Sequence, residues 1–136
     1  MNIPEMLEGA GMRPSPVRLL VARAIESAGR PVSSLEIEQA LETVDRSSIT
    51  RTLVLFSNKG FVHSVDDGSG SVKYELCRHC GEDRDRDLHP HFHCLACGAT
   101  YCLDHTPMPE VELPCGFERR SANFVIKGLC PKCSAR

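Results

Sequence analysis

Two Cys-x-x-Cys pairs, Cys94-x-x-Cys97 followed by Gly98 and Cys130-x-x-Cys133, constrain this chain more than any other feature. Four thiolates presented by two tight turns can surround one zinc ion tetrahedrally at ~2.3 Å, each turn supplying two ligands. The chain has 136 residues and 8 cysteines, none before Cys77, so the thiols crowd into its last 60 positions. Small domains bury too little apolar surface to be robust alone. A structural zinc site at Cys94, Cys97, Cys130 and Cys133 would supply what the missing core cannot. The 32 residues between the pairs exceed the usual ribbon spacing, so a small sheet is expected to fold between them.

The first 14 residues lack a charged segment followed by an apolar run, and nowhere are 18 consecutive residues apolar. The sequence therefore predicts a cytoplasmic protein with no membrane partner. In a reducing cytosol such cysteine pairs are metal knuckles rather than disulfides. Overall charge gives no argument for nucleic acid: 16 Lys and Arg face 18 Asp and Glu, and residues 1–76 carry 8 basic and 10 acidic side chains. Any DNA-binding surface must come from a local basic patch.

The cysteine-free half reads as helices followed by a hairpin. A short helix is expected over residues 4–10, ending at Gly11 and placing Arg13 in a connector. Ser15-Pro16 reads as N-cap and first residue of a helix whose apolar positions Val17, Leu20, Val21, Ala24, Ile25 and Ala28 recur at helical spacing, with Gly29 as its stop. Ser33-Ser34-Leu35-Glu36 has the form of a capping box and starts a helix through about Leu41. A further helix over residues 46–59 carries Ile49, Leu53 and Phe56 inward and stops at Gly60. The last two helices make a helix-turn-helix. Strand-like runs at residues 61–65 and 72–76 flank Asp66-Asp67-Gly68-Ser69-Gly70-Ser71 and form a hairpin. Three helices and a hairpin constitute a winged helix.

In the cysteine-rich half, strands are expected at residues 89–93, 99–103, 111–113 and 123–129, and Thr106-Pro107-Met108-Pro109 rules out a continuous helix there. In His89-Pro90-His91-Phe92-His93, strand alternation would point the three imidazoles to one side, and two of them could bind one ion. Glu75, Cys77, His79, Cys80, Asp83, Cys102, Asp104 and His105 add further donors near the junction. Cys102 is the most suggestive, because a thiolate joined to imidazoles favours zinc over iron. Cys115 is isolated in Leu-Pro-Cys-Gly-Phe and is expected to be a buried apolar residue. For DNA, the helix over residues 46–59 offers Arg46, Ser48, Thr50 and Arg51 near its N-terminus, the end that a recognition helix presents to base edges. Lys73 on the hairpin and Arg13 would add phosphate contacts.

Taken together, the sequence resembles the ferric uptake regulator (Fur) family over nearly its whole length. The resemblance is carried by Gly11-Met12-Arg13 through Arg18, by Val32-Ser33-Ser34-Leu35-Glu36-Ile37, by Ser48-Ile49-Thr50-Arg51-Thr52-Leu53 through Gly60-Phe61-Val62, and by His89-x-His91-x-x-Cys94-x-x-Cys97-Gly98 with the later Cys130-x-x-Cys133. It implies an α+β fold: a winged helix-turn-helix DNA-binding domain over residues 1–78, an interdomain loop over 79–88, and a small α/β dimerisation domain with a four-cysteine zinc site over 89–136. It also implies a homodimer whose metal-loaded form binds a double-stranded, AT-rich palindromic operator and represses transcription of metal uptake or homeostasis genes. The implied regulatory ligands for Fe(II) or Zn(II) fall at Glu75, His89, His91 and Cys102, the last where the family usually has a carboxylate.

Three departures from the family pattern bear on function. Pro31 stands where many members have a histidine ligand, so one bridge between domains is missing or replaced, and Cys77, His79 or Cys80 of the long following loop is a candidate replacement. Sulfur in the site resembles the zinc-sensing (Zur) branch. Thr50 replaces a usual tyrosine and reaches less far toward thymine methyls. Leu88 and Pro90 flank the histidines where an additional metal site would need donors, so that site is expected to be absent. Two rival readings are a zinc-containing winged-helix adaptor for a protein partner and a thiol- or peroxide-responsive regulator using Cys77-x-x-Cys80 or Cys102. No phosphate-binding glycine loop, nucleophile elbow or His-Glu-x-x-His helix is present, so no enzyme is expected.

Overall fold

The computed structural model describes residues 2–76, 90–103, 106–107, 109–120 and 122–135. The elements run α1 (Ile3–Gly9), α2 (Pro16–Ala28), β1 (Val32–Ser33), α3 (Ser34–Ala40), α4 (Arg46–Asn58), β2 (Val62–Val65), β3 (Lys73–Leu76), β4 (His91–Cys94), β5 (Thr100–Cys102), β6 (Val125–Gly128) and α5 (Pro131–Ser134).

Local chemistry sets the helix ends. The Ser15 hydroxyl accepts from the Arg18 amide with Pro16 at the first helical position, and Gly29 ends α2 in the left-handed region at φ +66°. Ser33 and Glu36 close the expected capping box on α3. Asp45 caps α4 by accepting from the Ser48 amide. The inward faces of these helices meet in one core, where Leu7, Val21, Ile37, Ile49, Phe56 and Phe61 are fully buried and the Phe56 and Phe61 rings lie 4.7 Å apart.

Two three-stranded sheets follow, one in the order β1-β3-β2 and the other β5-β4-β6. The first is antiparallel throughout, with His63 opposite Glu75 and Val65 opposite Lys73. In the second, β4 runs antiparallel to β5, with His91 opposite Cys102 and His93 opposite Thr100, and parallel to β6. β1 goes beyond the sequence expectation: Val32 and Ser33 pair with Tyr74 and Lys73 immediately before Ser33 caps α3, so one pair of residues serves both a strand and a helix start. The strand expected at 111–113 is not formed; these residues are irregular and exposed. Beyond Val65, the buried apolar residues among those described are Pro90, Cys94 and Cys130.

Candidate metal centres and nucleic-acid face

β4 and β6 run side by side in the same direction, so their ends arrive together. Cys94 closes β4, with Cys97 in the turn beyond it, and Cys130 stands immediately before α5 just after β6, with Cys133 inside that helix. One sulfur from each of the four cysteines lies within 4.8 Å of the others. The amides of Cys97 and Cys130 point at Cys94 Sγ, at 3.5 Å and 3.4 Å. These donors, that of Cys97 foremost, bring the Cys94 thiol down to about 5. The Cys133 amide likewise lowers Cys130, whereas side-chain hydrogen bonding to Cys130 and then Cys94 pushes the Cys133 thiol up to about 12. Backbone amides aimed at sulfur favour the thiolate, the form that binds metal. A tetrahedral zinc ion fits this donor set.

The second cluster joins the two sheets. Glu75 on β3 is buried, and its Oε1 touches Nε2 of His63 from the paired strand β2 and lies 2.9 Å from Nε2 of His91 on β4. Its Oε2 touches Sγ of Cys102 on β5. His63, Glu75 and His91 hold their donor atoms within 4.8 Å of one another, with Cys102 on the far oxygen of the carboxylate. Two imidazoles, a carboxylate and a thiol form a mixed nitrogen, oxygen and sulfur set that suits zinc or another borderline divalent ion.

The implied ligands Glu75, His91 and Cys102 are thus together, whereas His89, Cys77, His79 and Cys80 lie outside the described residues. His91 and His93 share one face of β4, as alternation requires, but His93 approaches Asp67 and Thr100 instead of the cluster. Pro31 is fully buried and offers no donor. The wing-side donor that the sequence reading missed is His63. Pairing the runs 61–65 and 72–76 end to end puts His63 opposite Tyr74, and a shift of one residue sends a side chain to the other face. The observed seven-residue connection, 66–72, sets the register that brings His63 beside Glu75.

Two further expectations are corrected. Lys73 is not exposed on the hairpin: its side chain retains 7% exposure, and Nζ donates to Asp67 Oδ2 at 2.9 Å, so it presents no charge to a phosphate here. Cys115 is exposed, not buried. On α4, Thr50 and Arg51 are exposed on one side while Ile49, Thr52, Leu53 and Phe56 face the core. A shallow groove of about 230 Å³ is lined by Val17 and Arg18 of α2 and by Ser48, Arg51, Thr52 and Leu55 of α4. Arg13 is exposed, its carbonyl accepting from Arg18 Nη1 at 2.9 Å. Arg46 is also exposed but already donates to Glu38 at 2.7 Å.

A helix-turn-helix whose β hairpin meets a four-thiol sheet through side chains able to hold a metal ion defines a winged-helix protein with two candidate metal sites. Residues 9–113 match the family model described as Ferric uptake regulator family, and the chain belongs to that family, whose members are metal-responsive DNA-binding transcription regulators. Among solved structures it is similar to holo XcZur (22% identity, 98% of this chain and 95% of the other, TM-score 0.66). It is also similar to the Vibrio cholerae ferric uptake regulator (17% identity, 95% and 100%, TM-score 0.66) and to a zinc uptake regulator complexed with zinc and DNA (21% identity, 96% and 89%, TM-score 0.65). At these identities the likeness carries the fold. No curated protein matches the chain. No helix among the described residues is long and apolar enough to cross a membrane.

Proposed function

We propose that this protein is a zinc- or iron-responsive repressor that binds a double-stranded, AT-rich palindromic operator as a homodimer. The observation that carries the reading is the donor cluster His63, Glu75, His91 and Cys102, which draws two ligands from the wing and two from the second sheet. An ion there would favour the arrangement in which the sheets are joined, by as much as its affinity for that arrangement exceeds its affinity for the parted one. In a dimer, fixing each wing would fix the spacing of the two α4 helices. Sulfur in the cluster favours Zn(II) over Fe(II). Cys94, Cys97, Cys130 and Cys133 would hold a separate structural zinc ion.

Arg51, Thr50 and Ser48 on α4 would face base edges, with Arg13 on phosphate and Arg46 joining once it leaves Glu38. Dimerisation is supported by the exposed apolar residues of the second half, among them Leu95, Val111, Phe117, Ile126 and Leu129. We assign residues 1–78 to DNA binding, 79–88 to the connection and 89–136 to assembly. The test is a titration of an AT-rich palindrome with protein of counted metal content, adding Zn(II), Fe(II) or Mn(II) in turn. Tightening with one ion supports the reading and names the effector; the absence of specific binding with every ion would overturn it.

A further inference from the structure

The two sheets face each other through two rows of side chains. In the first, His63 and Glu75 of the wing meet His91 and Cys102, forming the candidate metal cluster. Two residues along every strand lies the second row, where Asp67, which follows the Val65–Lys73 pair, meets the His93–Thr100 pair.

The Asp67 side chain is completely buried at the centre of this second row. Its Oδ2 accepts from Lys73 Nζ at 2.9 Å and from the Thr100 hydroxyl, and lies 3.4 Å from His93 Nδ1. Its Oδ1 accepts from the Ser69 amide at 2.9 Å. His93 Nδ1 is also 3.1 Å from the Thr100 hydroxyl. Lys73 and Ser69 belong to the wing itself, whereas Thr100 and His93 come from the other sheet. The neighbours of Asp67 dock the same way: Asn123 Nδ2 donates to the Asp66 carbonyl at 2.7 Å, and Lys127 reaches over Gly68.

We infer that Asp67, with Lys73, Thr100 and His93, forms a metal-independent clasp that holds the wing against the second sheet while the His63–Glu75–His91 cluster is empty, and so raises that cluster's affinity for its ion. The second row supplies a cation of its own, the Lys73 ammonium, where the first needs one from solution. A hydrogen bond to a charged group is among the stronger intramolecular ones, and low dielectric strengthens it. Parting the sheets would leave Asp67 and Lys73 as an exposed pair, which contributes little. The clasp therefore acts in the joined state. An ion that binds only that state has an apparent affinity reduced by the fraction joined, so a clasp that raises the fraction raises the affinity.

This inference rests on the metal-responsive reading for its purpose, but its test needs no DNA. Hydrogen exchange would be followed in full-length protein that retains the four-cysteine zinc and has the second cluster emptied by a weak chelator. Wild type is expected to protect β3 and β5. Thr100→Val, which keeps the shape and removes the hydroxyl, should lose about tenfold or more of that protection and bind zinc at the emptied cluster about tenfold more weakly, while Thr100→Ser keeps both. Exchange in α4 serves as the internal control. Equal exchange and equal zinc affinity in wild type and Thr100→Val would overturn the clasp, as would an unprotected wild type. A Thr100→Val effect of the expected size in a protein whose DNA binding ignores metal would retain the clasp and refute the regulatory reading.

Discussion

Stripping zinc from the four-cysteine site should unfold the second half of the chain and leave the winged helix standing. The winged-helix core is made entirely from residues between Ile3 and Val62 with partly buried support from Tyr74 and Leu76, whereas beyond Val65 the described buried apolar residues are Pro90, Cys94 and Cys130. Cys97 and Cys130 stand 33 positions apart. Opening a cross-link over a loop of that size returns about 4 kcal/mol of chain entropy to the unfolded state. Structural zinc in small peptides contributes about 10–16 kcal/mol in all, as much as or more than the roughly 5–15 kcal/mol that keeps a whole domain folded. Hydrogen exchange read by mass spectrometry checks this, in zinc-depleted protein and in Cys130→Ser. Peptides spanning β4 and β6 should exchange at the unfolded rate, while those spanning α2 and α4 stay slow. Retained protection of β4 and β6 at a counted zinc content of zero would refute the claim that the ion replaces the core, and simultaneous loss in α4 would refute the independence of the first half.

His63→Ala should weaken zinc binding at the interdomain cluster by at least about 10- to 100-fold in chelator competition while leaving the four-cysteine zinc in place, since even residues that only support a ligand cost that much. Arg51→Ala should weaken operator binding and lower the slope of log affinity against log salt by about 1, whereas Lys73→Ala should leave that slope unchanged, because its ammonium faces Asp67. Burial alone would raise the Asp67 carboxyl, but hydrogen bonds from Lys73, Ser69 and Thr100 outweigh it and hold the group below the usual carboxylate range. A depressed acid stabilises above its unfolded value near ~3.9 and loses that contribution as pH falls through the lower folded value. The melting difference between wild type and Asp67→Asn should therefore shrink as pH falls below about 4; a difference that grows there would contradict this.

The parts of this molecule most legible in the sequence are those decided within a few residues. Helix ends announced themselves through Ser15-Pro16, the Ser33 and Glu36 box and Gly29, because a cap needs only its own turn. The four cysteines are brought together by a parallel pairing of strands, but their spacing alone suggested one site. What stayed hidden depends on register. His63 looks like any strand residue until the hairpin is aligned to one position, and Lys73 reads as a surface cation until Asp67 and Ser69 of the turn close on its ammonium. Asp67 lies in a Gly- and Ser-rich turn, where aspartate is ordinarily explained by turn chemistry alone, so nothing local marks it as the buried centre of a network.

The parallel pairing of β4 with β6 also has a kinetic side. His91 lies beside Val125, so the strands can meet only after a long connection closes, whereas the helices of the first half form from near neighbours. Chains rich in distant pairings fold slowly because closure must precede the contacts that reward it. The first half should thus be complete while the second is still searching. An ion caught by Cys94 and Cys97 at the end of β4 would shorten that search as soon as Cys130 and Cys133 came within reach. Maturation of the second half would then proceed at a rate set by free zinc, making the protein's own assembly an early reader of metal supply.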